Sequence, residues 1–318
     1  MKVISLIKQH NCIQLGHLYE HLVMRTINEF FYSRGLYKAL DYYAHGTTFD
    51  KSGIIFIDIG LYTTEAQALS HELENLKINI SADNTNIGLA VQQIIAEEPW
   101  QLVISNGRKV VQELKQLDEE PWKNIESLNF IDTTSTRKNR GSIYLSSTKQ
   151  PKPSKVSLAL KSKNTVEPAL RPLFYELSRL LLLTVTNNIT AKYGYYADEF
   201  YGNARPLSVV SELLVHRKVM RDVDENTVGL FAKEIITEML RTHLAVRLSR
   251  SLKSMSYLKD PSSAVYAEKI LEETGILIGI AGWKQSATVE NINALLRDLV
   301  LEVKIGRRVS SVDVTPNY

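Results

Sequence analysis

Gly16-His17-Leu18-Tyr19-Glu20-His21-Leu22 lies inside a run with helical periodicity, and its reading decides how the rest of the chain is understood. Apolar residues recur at Leu15, Leu18, Leu22, Val23, Ile27 and Phe30. That spacing predicts one face of a helix from about Leu15 to Tyr32, ended by Gly35. Within it His17 and His21 are one turn apart on the same face, so both imidazoles reach a single ion. Glu20 projects from a neighbouring part of that face and approaches water at the ion without ligating it. Neutral imidazoles suit zinc, and zinc makes water acidic enough for a carboxylate to take its proton. H-x-x-E-H is the inverted order of H-E-x-x-H. The two histidines lie beside the apolar stripe and not opposite it, which argues against two solvated surface side chains. A catalytic site of this type needs a third protein ligand.

Outward from this helix, a strand is expected over Val3–Ile7 and a β-rich strand over Ile54–Tyr62 (IIFIDIGLY). Thr63-Thr64 resembles an N-cap for a helix reaching about Leu76. A helix over about Asn86–Glu98 is stopped by Pro99, and helical stretches follow around Val103–Leu117 and Pro121–Leu128. The polar, proline-bearing segment Ser147–Ser154 (STKQPKPS) marks a boundary, giving a metal-binding half, 1–148, and a second half, 149–318. The second half reads as a strand (Val156–Leu160), a long helix (Val166–Ile189), a Tyr/Gly-rich segment (Tyr193–Tyr201), a strand (Ser208–Val215) and a long helix (Glu225–Ser251). Strands near Ala264–Ile270 and Ile276–Ala281 and a last helix, Val289–Val300, complete it. Strands and helices in both halves predict an α+β fold.

Composition excludes some classes. The chain has 318 residues, 44% hydrophobic and 23% charged, with a formal net charge of +3. That charge is too small to imply nucleic acid or a membrane surface, and the densest basic run, Arg137-Lys138-Asn139-Arg140, reads as a solvated loop. The single cysteine, Cys12, rules out an intrachain disulfide and a cysteine-rich metal site, and a buried structural role is expected for it. The apolar run Val3–Ile7 is too short for a signal peptide, and the strongest apolar stretch, Leu180–Val185, is far short of a membrane span. A soluble cytoplasmic protein is the expectation. No P-loop or G-x-G-x-x-G is present. His10, His45, His71, His216 and His243 lack ligand spacing, and Tyr193–Tyr201 lacks the glycine-rich or basic context of a base-stacking surface.

The H-x-x-E-H helix resembles that of the pitrilysin/insulinase family of inverted zincins, which includes mitochondrial processing peptidase. In that family a distal glutamate follows the second histidine by just under eighty residues, on a helix similar to Val91-Gln-Gln-Ile94-Ile95-Ala96-Glu97-Glu98. The resemblance implies Glu98 as third ligand, with Glu97 as the neighbouring alternative. Thr47-Thr48-Phe49-Asp50-Lys51-Ser52, leading into the Ile54 strand, resembles the family's edge strand beside the metal helix, which pairs with extended substrate backbone; His45 adjoins it. Arg250-Ser-Leu-Lys-Ser-Met-Ser-Tyr257 resembles the segment whose Arg and Tyr reach the substrate from the opposite half. The chain departs from the pattern at Ala44, Ile54 and Val91, where the family has Asn, Tyr and Glu.

The resemblance implies two related halves, each a mostly antiparallel sheet packed against helices, enclosing a cavity. It also implies a zinc endopeptidase acting on unfolded peptides or leader segments, with Glu20, Arg250 and Tyr257 as catalytic residues. A homodimer, or a heterodimer with a homologous subunit, is compatible with it, as is a non-catalytic subunit that partners an active homologue.

Overall fold

The computed structural model describes residues 2–10, 13–38, 40–49, 53–62, 66–78, 80, 85–97, 100–104, 107–125, 145–149, 154–193, 196–197, 208–215, 225–241, 243–254, 285–305 and 308–313. The chain divides into two compact units, Met1–Lys152 and Pro153–Tyr318. Each is an antiparallel sheet packed against helices, the expected α+β architecture.

In the first unit β1 (Lys2–Gln9), β2 (Tyr42–Phe49), β3 (Ile54–Leu61) and β5 (Lys123–Asn124) form a sheet in the order β2-β3-β1-β5. Helix α1 (Ile13–Tyr32) lies on one face. Period-two alternation sends Ile4 and Leu6 of β1 and Ile55, Ile57, Ile59 and Leu61 of β3 into the core. There they meet Leu15, Leu18, Leu22 and Ile27 of α1. Each fully buried Leu or Ile contributes roughly 1.5–3 kcal/mol relative to exposure, so α1 is held mainly by this stripe. The helix ends where Gly35 takes a left-handed conformation (φ 68) and Leu36 N–H donates to Phe31 O at 3.0 Å.

The sheet register sets up a row that matters for the site. Thr48 of β2 lies opposite Ile55 of β3, and Ile55 lies opposite Lys8 of β1. The next row is Gly46, Ile57 and Leu6. Both rows lie on the α1 face.

Helices α2 (Ala66–Glu74), α3 (Thr85–Glu97) and α4 (Gly107–Glu119), with a ribbon of β4 (Trp100–Ile104) and β6 (Leu145–Lys149), complete the unit. Two expectations fail here. Val103 does not begin a helix: Trp100–Ile104 is a strand, and the helix starts at Gly107. Nor does Pro121 open a helix, because Lys123 and Asn124 pair with Ile7 and Leu6 as an edge strand; residues 126–144 lie outside the described set.

The second unit has the sheet order β11-β10-β7-β9-β8, from β7 (Ser154–Ser162), β8 (Tyr196–Ala197), β9 (Ser208–Val215), β10 (Leu299–Ile305) and β11 (Arg308–Asp313). Its helices are α5 (Arg171–Tyr193), α6 (Glu225–Arg241), α7 (Leu244–Ser254) and α8 (Val289–Arg297). The single helix expected over Glu225–Ser251 is two, interrupted where His243 adopts φ 55. The last helix stops at Arg297, and Leu299–Ile305 becomes a strand between β7 and β11, since Leu299, Leu301 and Val303 alternate into the core. The strands expected at Ala264–Ile270 and Ile276–Ala281 lie outside the described residues. Among the described residues no helix is long and apolar enough to cross a membrane.

Candidate metal centre

Helices α1 and α3 run antiparallel and meet along a seam of polar rungs. His17 and His21 face Glu97, His21 also faces Gln93, and the Arg25 guanidinium reaches Asn86 Oδ1 at 3.4 Å. Between the rungs, fully buried Ala90 and Ile94 keep α3 against the core. The i, i+4 spacing of His17, His21 and Arg25 on α1, and of Gln93 and Glu97 on α3, follows from one helical turn.

At one end of the seam three donor atoms converge. His17 Nε2 and His21 Nε2 are 3.2 Å apart, and Glu97 Oε2 lies 3.6 Å from the first and 3.3 Å from the second. A circle through these three atoms has a radius of about 1.95 Å. A point about 0.6 Å off their plane is therefore about 2.0–2.1 Å from each, the range of zinc–imidazole and zinc–carboxylate bonds. Two imidazoles and one carboxylate leave the fourth tetrahedral position for water or substrate, the composition of catalytic rather than structural zinc sites. The residues fit the ion. Among the described residues no other group of His, Cys, Asp or Glu is so arranged.

Electrostatics agree with the geometry. Burial pushes the Glu97 carboxyl upward, but hydrogen bonds and charge from His17 and His21 together outweigh it and hold it near 2. Glu97 is thus an anion across the working pH range, as a metal ligand must be.

Glu20 is buried on the other flank of α1, against the edge strand. Thr48 Oγ donates to Glu20 Oε2 at 2.8 Å, and Glu20 Oε1 lies over Gly46, only 2.5 Å from where a β-carbon there would stand. Its neighbour Tyr19 is fully buried; the Tyr19 hydroxyl donates to Asp118 Oδ1 at 2.8 Å and accepts from Lys8 Nζ at 3.0 Å. Lys8 Nζ also donates to Leu117 O and sits over the Trp122 ring.

The sequence expectations divide accordingly. His17 and His21 come together with Glu97, the alternative third ligand, while Glu98 lies outside the described residues, as do Tyr257 and Cys12. Arg250 is exposed on α7 in the second unit. His45 is exposed on β2, its Nε2 2.9 Å from the Thr47 hydroxyl. Sequence reasoning missed Gly46 and Gln93 and saw Thr48 only as part of a segment. A signal was present: Gln93 is one turn before Glu97, and Gly46 and Thr48 share a strand face.

No family model matches the chain, and no curated protein does either. Among the solved structures similar to it are two that align with nearly all of the chain. One is a predicted insulinase-family protease from Yersinia pestis, 10% identical over 98% of this chain and 88% of that one, with TM-score 0.29. The other is a mutant of the ferredoxin protease FusC in complex with Arabidopsis ferredoxin, 11% identical, with TM-score 0.26. This chain is covered to 96% but spans only 42% of that protein's length. Likenesses this faint assign no activity; the functional reading stands on the donor geometry.

Proposed function

We propose that this chain is a zinc-dependent peptidase in which His17, His21 and Glu97 hold the ion and Glu20 is the general base. The observation that carries the reading is the convergence of three donors at zinc-binding separations, two of them on the helix that also carries Glu20, which Thr48 anchors separately. Bound zinc supplies Lewis acidity, polarising a scissile carbonyl and acidifying water. Glu20 accepts a proton from the attacking water and returns it to the departing amine. Thr48 holds one carboxylate oxygen and so aims the other, and Gly46 leaves the space that oxygen occupies.

Strand β2 is the sheet edge; among the described residues it pairs with β3 along its length, and on its other side makes one bridge, from Tyr42 to Lys38. An extended peptide added along its other side would gain main-chain hydrogen bonds, on the element that also anchors Glu20. Unfolded peptides or leader segments fit this mode because their backbone is available for pairing. By the family resemblance, Arg250 and Tyr257 would contact the substrate.

The test joins metal analysis to an assay of unstructured peptides. Reconstituted protein should hold about one zinc per chain, and Glu20→Gln should keep that zinc while hydrolysis falls at least ~100-fold. Carefully reconstituted protein without zinc would refute the reading, and so would a Glu20→Gln chain with full turnover.

A further inference from the structure

The seam places a second α3 side chain on the ligands. Gln93 lies one turn before Glu97 on the same face, is 9% exposed, and has Oε1 3.4 Å from Nδ1 of His21. The other ring nitrogen of His21, Nε2, is the atom in the donor triangle.

We propose that Gln93 is the positioning residue for the His21 imidazole: its side-chain oxygen accepts the Nδ1 proton, leaving the Nε2 lone pair for the metal. This rests on the zinc-site reading above. The chemistry needs such a partner. A neutral imidazole has one N–H and one lone pair, and histidine in water favours the proton on Nε2, the nitrogen that must here be bare. An acceptor at Nδ1 reverses that preference and fixes the ring plane. Gln93 Oε1 is placed for it, and burial makes an unpaired amide oxygen there costly.

The choice of amide has its own consequence. Outer partners of zinc-binding histidines include carboxylates, which add negative charge and make the ring more basic. Gln93 orients His21 without charge. The Lewis acidity of an ion held there would therefore not be tempered by a carboxylate behind the His21 imidazole. The same helix thus supplies the one charged ligand and the one neutral orienter, at i and i+4, so a shift of α3 along α1 disturbs both together.

The experiment is nitrogen NMR of protein labelled at histidine, with zinc affinity measured by chelator competition. In metal-free protein the Glu97 carboxylate, 3.3 Å from Nε2, competes for the ring proton, so the tautomer is read in a Glu97→Ala background at a pH where the rings are neutral. There His21 should be protonated at Nδ1. Adding Gln93→Leu should return the proton to Nε2, and in otherwise wild-type protein Gln93→Leu should weaken zinc binding about 10- to 100-fold. Gln93→Glu should restore both the Nδ1 proton and the affinity, which a merely structural role for Gln93 would not do. Should the Leu variant fail to fold, the near-isosteric Gln93→Met and the Glu97→Ala spectrum carry the same test. A His21 protonated at Nε2 in that background, meaning that the amide offers its NH2 instead, overturns the proposal. An apolar variant with unchanged tautomer and affinity does the same. If the protein with Glu97 intact binds no zinc, the site reading fails, while the tautomer measurement still judges the Gln93 contact by itself.

Discussion

Gly46→Ala tests the assignment of Glu20 without touching Glu20. The glycine occupies ordinary strand backbone, so alanine brings no conformational penalty there. A β-carbon added to it would stand 2.5 Å from Glu20 Oε1, 2.9 Å from Cγ and 3.0 Å from Cδ. Restoring an ordinary contact of about 3.4 Å requires the carboxylate to retreat by about 0.9 Å. The Thr48 bond, 2.8 Å now, would be stretched or broken by that movement. Misplacing a reacting group by about 1 Å costs on the order of 100-fold in rate, or about 2.7 kcal/mol of barrier. The expected result is a kcat on peptide lowered about 100-fold, with bound zinc unchanged because the ligands on the α1–α3 seam are not displaced. Gly88→Ala is the control: a β-carbon there meets nothing within 4 Å. As an exposed helical position it should gain about 0.5–1 kcal/mol of stability with no effect on rate. A Gly46→Ala enzyme with full turnover and full zinc would refute the placement of Glu20 as the proton acceptor.

Further outcomes are expected elsewhere. Glu97→Gln should lose tight zinc binding and Glu98→Gln should keep it, read by elemental analysis of the two variants; the opposite pattern would return the third ligand to Glu98. In metal-free protein the Glu97 carboxyl is depressed from 4.5 to about 2, so its contribution to stability is complete above pH 4.5 and is lost as pH falls toward 2. Urea midpoints measured between pH 5 and 3 should fall less steeply for Glu97→Gln than for wild type. Burial lowers Lys8 from 10.5 to about 8, against the pull of Asp118. The unfolded chain then binds more protons between those values, so this group raises stability as pH climbs from 8 to 10.5. Lys8→Met should flatten that rise in a thermal-melt series.

What the sequence made legible was what periodicity encodes. The apolar spacing of α1 locates the helix and puts His17, Glu20 and His21 on it, and β3 and β9 are plain from their β-branched runs. Failures came where short segments compete. Leu102-Val103-Ile104 reads equally as the start of a helix or as a strand until a partner, here Leu145–Lys149, is available. The break at His243 carries no glycine or proline to announce it. The choice between Glu97 and Glu98 was beyond reach for a geometric reason. Adjacent residues on a helix point about 100° apart, so one residue of uncertainty in the pitch of α3 exchanges the two. Gln93 would have followed from Glu97 by counting back one turn, had the ligand been certain.

The row Thr48–Ile55–Lys8 has a mechanical consequence. Tyr19 and Glu20 are consecutive on α1, and the two ends of that row grip them from opposite sides: Lys8 with Asp118 holds the tyrosine, and Thr48 holds the glutamate. Rotation of α1 about its own axis in either direction must stretch one grip. Side-chain atoms lie about 5–6 Å from a helix axis, so a 10° roll would carry the imidazole nitrogens about 1 Å, enough to spoil a bond of about 2 Å. The angular setting of His17 and His21 is therefore fixed by protein contacts, and a change at Asp118 or Trp122 would reach the proposed metal site as torque.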